Sequence, residues 1–163
     1  MALEAIGQVA ELGDTERATV AAVVDRLIPT DASAPGAAEA GVAAYIERAL
    51  ASEYAGDRDA YVRGVTLLDR HAHEVFGRAF AELDDDERDA ALVELEEGRA
   101  RCPDPLAAQG FFELVLRHAH EGMFGDPRWG GNAGGAGWGW LGYGGPRHEW
   151  DAADQRLTPG PSR

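Results

Sequence analysis

Two pairs of residues carry side chains of the kind that hold transition metals. His71 and Glu74, and again His118 and Glu121, stand three positions apart, which places both members of a pair on one helix face. Facing pairs of this type would offer two imidazoles and two carboxylates, a donor set suited to iron, manganese or zinc. Carboxylate-bridged bundles, however, use the order Glu-x-x-His and add two further glutamates from other helices. Here the order is reversed and no such glutamate pair stands out. The structural alternative is a helix-to-loop hydrogen bond or a partly buried imidazole. His73 and His120 lie two positions from these histidines and therefore point elsewhere.

Other chemistry finds less support. Gly137-Trp138-Gly139-Trp140-Leu141-Gly142 matches G-x-G-x-x-G by letter, but that motif works only between a strand and a helix whose N-terminus meets a pyrophosphate. Neither neighbour is expected here, and tryptophans fill the positions nearest the phosphates. Cys102 is the single cysteine; alone it can form no internal disulfide, cysteine-held zinc site or cysteine-ligated iron–sulfur cluster. It has Pro103 beside it and nothing obvious in sequence to activate its thiolate. Ser33 and Ser52 lack a nucleophile elbow. Glu94, Glu96 and Glu97 read as the solvated face of a helix.

The elements that would position these residues are helical. Val20, Val23, Val24, Leu27 and Ile28 form one apolar stripe and predict a helix over about Thr15 to Ile28, with Asp14 as its cap and Pro29 as its stop. Pro29 to Gly36 is a rigid loop by composition. A second helix begins between Ala37 and Val42 and carries Val42, Tyr45, Ile46 and Leu50 on one side. A third is expected over Arg58 to Phe80, with Tyr61, Val65, Leu68, Ala72, Val75 and Phe80 inward. Asp84 to Asp86 caps a fourth, about Asp85 to Arg99, which buries Leu92 and Leu95. Cys102-Pro103-Asp104-Pro105 breaks the chain before a fifth, about Pro105 to Gly122, bearing Phe111, Phe112, Leu114, Val115 and Ala119. The fold expected is all-α: a bundle of about five helices over residues 1–122.

From Met123 the character changes. Residues 130–145 hold nine glycines, among them Trp138, Trp140 and Tyr143, with Trp129 just before. Such glycine density disfavours helix and central strand, yet flexible linkers do not carry large rings. Residues 123–150 are therefore expected to be an arm without regular structure whose rings pack on a surface. That surface belongs either to a partner or to the chain's own bundle. Residues 151–163 read as a disordered tail.

Charge narrows the partners. Fifteen cationic residues, all arginine, face 29 Asp and Glu, a formal charge of −14, so a phosphate backbone would be repelled and nucleic-acid binding is not expected. Nothing approaches the roughly 20 apolar residues that span a bilayer. The first residues show no basic start, long apolar run or Arg-Arg pair, so no leader is expected.

Two stretches carry a family resemblance. One is Arg26-Leu27-Ile28-Pro29-Thr30-Asp31, Pro35-Gly36-Ala37 and Ala40-Gly41-Val42-Ala43-Ala44-Tyr45-Ile46. The other is Phe111-Phe112, His118, Glu121-Gly122, then Gly125-Asp126-Pro127-Arg128-Trp129-Gly130-Gly131-Asn132, Gly137-Trp138 and Leu141-Gly142-Tyr143. Over roughly Val20 to Gly145 the chain resembles the small (gamma) subunit family of membrane-associated gluconate 2-dehydrogenase, shared with bacterial flavin-dependent glucose, fructose and glycoside dehydrogenases. The resemblance implies a non-catalytic subunit with no cofactor of its own. It would bind and stabilise a large FAD-containing flavoprotein of the glucose–methanol–choline type, with a c-type cytochrome as a further partner. On it, Asp126, Pro127, Trp129, Gly130, Gly131, Asn132, Trp138, Trp140 and Tyr143 are candidate partner-binding residues, with a structural or channel role for His118 and Glu121. Asp126 and Pro127 would shape the start of the arm, Gly130 and Gly131 allow close backbone approach, and Asn132 satisfy local backbone groups. Two departures are visible. Relatives often carry a twin-arginine leader, which this sequence lacks, so a cytoplasmic complex is expected, or a periplasmic one if a leader was removed or the partner is exported by another route. Gly144-Gly145-Pro146 also replaces a Pro-Gly that relatives often show after the aromatic near Tyr143.

Overall fold

The computed structural model describes residues 12–146. Its α-helices are α1 (Asp14–Leu27), α2 (Val42–Leu50), α3 (Arg58–Phe76), α4 (Asp85–Glu96), α5 (Pro105–Phe124) and α6 (Ala136–Trp140), with no strand among the described residues. Short 3-10 turns occur at Ala55–Asp57, Phe80–Glu82, Pro127–Trp129 and Ala133–Gly135. The chain is all-α, and its five long helices form the expected bundle. Trp150 and the expected disordered tail lie outside the described residues.

Each boundary has a local cause. Asp84 accepts from the Glu87 amide at 3.0 Å while Glu87 Oε2 accepts from the Asp84 amide at 3.1 Å, a reciprocal capping box that starts α4. Asp104 caps α5 through the Ala107 amide, with Pro105 in the first turn. Asp14 is the first residue of α1 and Gly13 occupies the cap position. The third helix stops at Phe76, short of the expected Phe80, because Gly77 takes a left-handed backbone (φ 76°) and ends it. Phe80 still reaches the core from its own 3-10 turn, fully buried; Val75 is exposed.

Helix α5 is the hub: it touches α1, α2, α3 and α4, and α6 lies against it. Phe111, Phe112, Val115, Ala119 and Met123 pack from α5 on Val20, Val23 and Val24 of α1, Val42 and Ile46 of α2, Tyr61 and Leu68 of α3, and Leu92 and Leu95 of α4. Helices α3 and α5 pack tightly at Gly64, where a Cβ would collide with the Phe111 side chain. At the rim, Arg26 of α1 forks onto Asp89 of α4, both bonds at 2.7 Å. Gly64→Ala is expected to overpack this contact and cost about 1–3 kcal/mol; urea unfolding should show a lowered midpoint with an unchanged slope.

Candidate functional site

A helix ends with four carbonyls that lack intrahelical partners, and for three of those of α5 the following segment supplies a donor. Gly125 N–H bonds Glu121 O, Asn132 N–H bonds Gly122 O at 2.6 Å, and the Trp138 indole N–H bonds Phe124 O at 2.7 Å. Asn132 also donates from Nδ2 to Gly125 O at 2.9 Å. Its Oδ1 accepts from Gly137 N at 2.8 Å and its own carbonyl accepts from Gly135 N. Every polar group of Asn132 is thereby used, and the residue is completely buried in a left-handed conformation (φ 46°, ψ 45°) that asparagine tolerates better than most. One residue on, Ala133 N bonds Ala40 O and ties the arm to the segment before α2.

The small residues serve this seat. A Cβ on Gly131 would collide with the backbone of Gly122, so only glycine lets the two chains approach this closely. Gly130 accepts from Arg48 on α2. Asp126 accepts from the Arg128 amide at 3.0 Å and from Arg128 Nε at 2.8 Å, closing the Pro127–Trp129 turn. Gly137 is the second residue of the five-residue α6, and a Cβ there would collide with Met123 O. The Gly137–Gly142 run thus follows a 3-10 turn and sits inside and after a helix, without the strand a nucleotide motif requires. The arm carries more local structure than glycine density suggests, because α5 supplies bonds a free segment would lack.

The aromatics divide into two groups. Trp138, expected as a partner anchor, is half-buried: its indole is bonded to α5 and its ring meets Tyr143 edge-on at 5.1 Å. This ring is partly sheltered by its own chain and partly open to solvent. Trp129, Trp140, Leu141 and Tyr143 remain 63%, 52%, 61% and 48% exposed, although Trp140 stacks on Phe124. These outward side chains are held on a pinned backbone; elsewhere among the described residues Val75, Val93 and Leu106 are the large apolar side chains exposed on the bundle.

The histidines are committed separately. His71 is completely buried; its Nδ1 accepts from the Arg101 amide at 2.9 Å and its Nε2 faces Glu94 Oε2 at 3.3 Å. Glu94 therefore turns inward, off the solvated face expected for it, while Glu96 and Glu97 are exposed. Glu74 and His73 are exposed. His118, also completely buried, bonds the Tyr61 hydroxyl at 3.0 Å through Nδ1, stacks on Tyr54 at 4.4 Å, and faces Asp57 Oδ2 at 3.6 Å. Glu121 Oε2 accepts from Tyr54 at 2.9 Å and Tyr45 at 3.2 Å. The four residues considered for a metal are not brought together, and the described residues contain no group of three or more His, Cys, Asp or Glu arranged to hold one. Burial pushes both imidazoles below their ordinary pKa, only partly offset by Glu94 at His71 and by Glu121 and Asp57 at His118. Burial raises the Tyr45 and Tyr61 phenols, and the bond to Glu121 raises that of Tyr54.

Sequence reasoning did not find Tyr45, Tyr54, Tyr61, Asp57 or Glu94 as partners of these groups. Tyr45 and Tyr61 fell on apolar stripes and read as core; Asp57 and Tyr54 lie in a short connection without periodicity. Only the packing of α2 and α3 on α5 makes them neighbours of His118 and Glu121.

Fold and site together define an all-α bundle clasped at one helix end by a folded-back arm that presents aromatic rings outward. The family described as gluconate 2-dehydrogenase subunit 3 matches residues 14–145, and the chain belongs to that family. Comparison with curated proteins and with solved structures gave no match. No helix among the described residues is long and apolar enough to cross a membrane.

Asn132→Ala should unseat the arm. It removes one donor and one acceptor from a buried network and puts a less tolerant residue at positive φ, for a loss of roughly 2–4 kcal/mol, read as a lower unfolding midpoint and faster proteolysis after Gly125. The histidines predict a pH dependence. Their folded pKa values lie below the unfolded one, so no stability is lost above about pH 6.5, where both states are neutral. As pH falls the unfolded chain takes up the protons first, and stability drops until the folded pKa is passed. The melting temperature should decline below about pH 6.5, and His71→Gln with His118→Gln should flatten that decline. Asp25 and Asp69, raised by burial, act with the opposite sign, so the comparison of slopes isolates the imidazoles.

Proposed function

We propose that this chain is the non-catalytic small subunit that binds and stabilises an FAD-containing sugar or glycoside dehydrogenase or oxidase of the glucose–methanol–choline type. The observation that carries the proposal is the exposed set Trp129, Trp140, Leu141 and Tyr143, mounted on an arm whose backbone is fixed to α5 by Asn132 and Trp138. Membership of a family described as a dehydrogenase subunit supports a catalytic partner. A preorganised arm loses little conformational entropy on docking, and aromatic rings are the side chains that most often dominate interface energies.

In this arrangement FAD and the chemistry reside in the partner, electrons pass onward to an acceptor such as a c-type cytochrome, and the small subunit contributes no cofactor. Asn132 and Trp138 act by holding the arm; Trp140 and Tyr143 make the contact. The complex resides in the cytoplasm, or in the periplasm if a leader was removed or the flavoprotein is exported by another route.

The test is co-expression with the flavoprotein followed by affinity measurement. Trp140→Ala and Tyr143→Ala are each expected to weaken the complex by about 2 kcal/mol, close to thirtyfold in Kd, while the melting temperature of the isolated small subunit falls only slightly through loss of the ring contacts to Phe124 and Trp138. Wild-type affinity in both variants would refute the proposed docking face.

A further inference from the structure

Beside the start of the arm lies a cleft of ≈ 330 Å³ lined by Tyr45, Glu53, Tyr54, Glu121, Asp126 and Trp129. Its walls are aromatic and its ionisable lining is acidic apart from the two phenols. Asp126 already holds the chain's own Arg128. Glu121 differs: its bonds come from the two tyrosine hydroxyls, both on Oε2, and neither uses Oε1. The nearby cations are engaged elsewhere, Arg48 with the Gly130 carbonyl and Arg117 towards Asp57 at 3.8 Å. The two phenols therefore orient a carboxylate that has no ion pair among the described residues, and Trp129 stands exposed at the rim.

The shape and charge of this cleft select an occupant. An anion would be repelled by Glu53 and Glu121, and an apolar side chain would bury Glu121 without compensation. A guanidinium fits both features: its plane stacks on indole or phenol faces while its N–H fork meets a carboxylate. Lysine, a point charge without a planar face, uses the aromatic walls less well. A formal charge of −14 favours a cationic partner surface in general.

We infer that the cleft receives an arginine side chain of the flavoprotein partner, stacked on Trp129 and paired with Glu121. The inference rests on the docking proposed above and names the chemistry of one of its contacts.

The experiment compares small-subunit variants for binding to the flavoprotein at low and high ionic strength. Glu121→Gln removes the charge but keeps the size and an amide oxygen for Tyr45 and Tyr54. Its Kd should rise about tenfold or more at low salt, and the difference from wild type should narrow at high salt through screening. Glu113→Gln, an exposed carboxylate elsewhere on α5, should bind as wild type. Trp129→Ala should also weaken binding; its ring is exposed, so this arm of the test survives if Glu121→Gln folds poorly. Guanidinium chloride should weaken the wild-type complex more than ammonium chloride at equal ionic strength, and the difference should vanish in Glu121→Gln. Equal effects of the two salts on wild type would overturn arginine as the occupant. If Glu121→Gln and Trp129→Ala bind like wild type at both salts while Trp140→Ala weakens, the cleft proposal fails and the docking face stands. A wild-type chain that binds no flavoprotein overturns both.

Discussion

The end of α5 is where this protein's design problem lies. Helix α5 packs against all four other long helices, so its C-terminus emerges beside the core, where carbonyls without partners are costly. The arm supplies partners for three of the last four. Asn132 covers Gly122 and Gly125, and Trp138 covers Phe124. With these bonds in place residues 126–146 are part of the fold; without them this glycine-rich stretch would have little to hold it.

This constraint accounts for a composition that otherwise looks contradictory. The glycines are needed where the arm runs against α5, as at Gly131, whose missing Cβ leaves room for the Gly122 backbone. The rings are needed for two different purposes. Trp138 belongs to the clasp, through a bond that only an indole N–H reaching back to Phe124 O provides. Trp140, Leu141 and Tyr143 lie beyond it and remain outward. A pinned backbone carrying outward rings suits the association proposed for it, in keeping with the family's description as a dehydrogenase subunit.

The histidine pairs show how sequence spacing can suggest chemistry that packing then redirects. His118 and Glu121 do share a region of α5, but they answer to Tyr61 and to Tyr45 and Tyr54, respectively. His71 turns to Arg101 and Glu94, leaving Glu74 in solvent. Each imidazole accepts or shares a bond at Nδ1 and directs Nε2 at a carboxylate, an arrangement that joins helices to neighbouring segments. The helix-to-loop bond expected as the structural alternative is present at His71.

Sequence alone determined the helical class, four of the five long-helix starts to within a residue or two, and the breaks at Pro29 and Pro105, because these follow from local spacing, capping and proline sterics. The family resemblance added the expectation that Asn132 serves backbone groups and that Gly130 and Gly131 mark a close approach. The sequence did not show which backbone, nor separate Trp138 from Trp129, Trp140 and Tyr143, which are equivalent as letters in a glycine-rich run. That separation was decided by tertiary structure: only Trp138 is placed where its N–H reaches an unpaired carbonyl at the end of α5. The same holds for Tyr45, Tyr54 and Glu121, 67 or 76 positions apart in the chain. Local propensity carries no information about pairs so distant; the packing of α2 on α5 creates them.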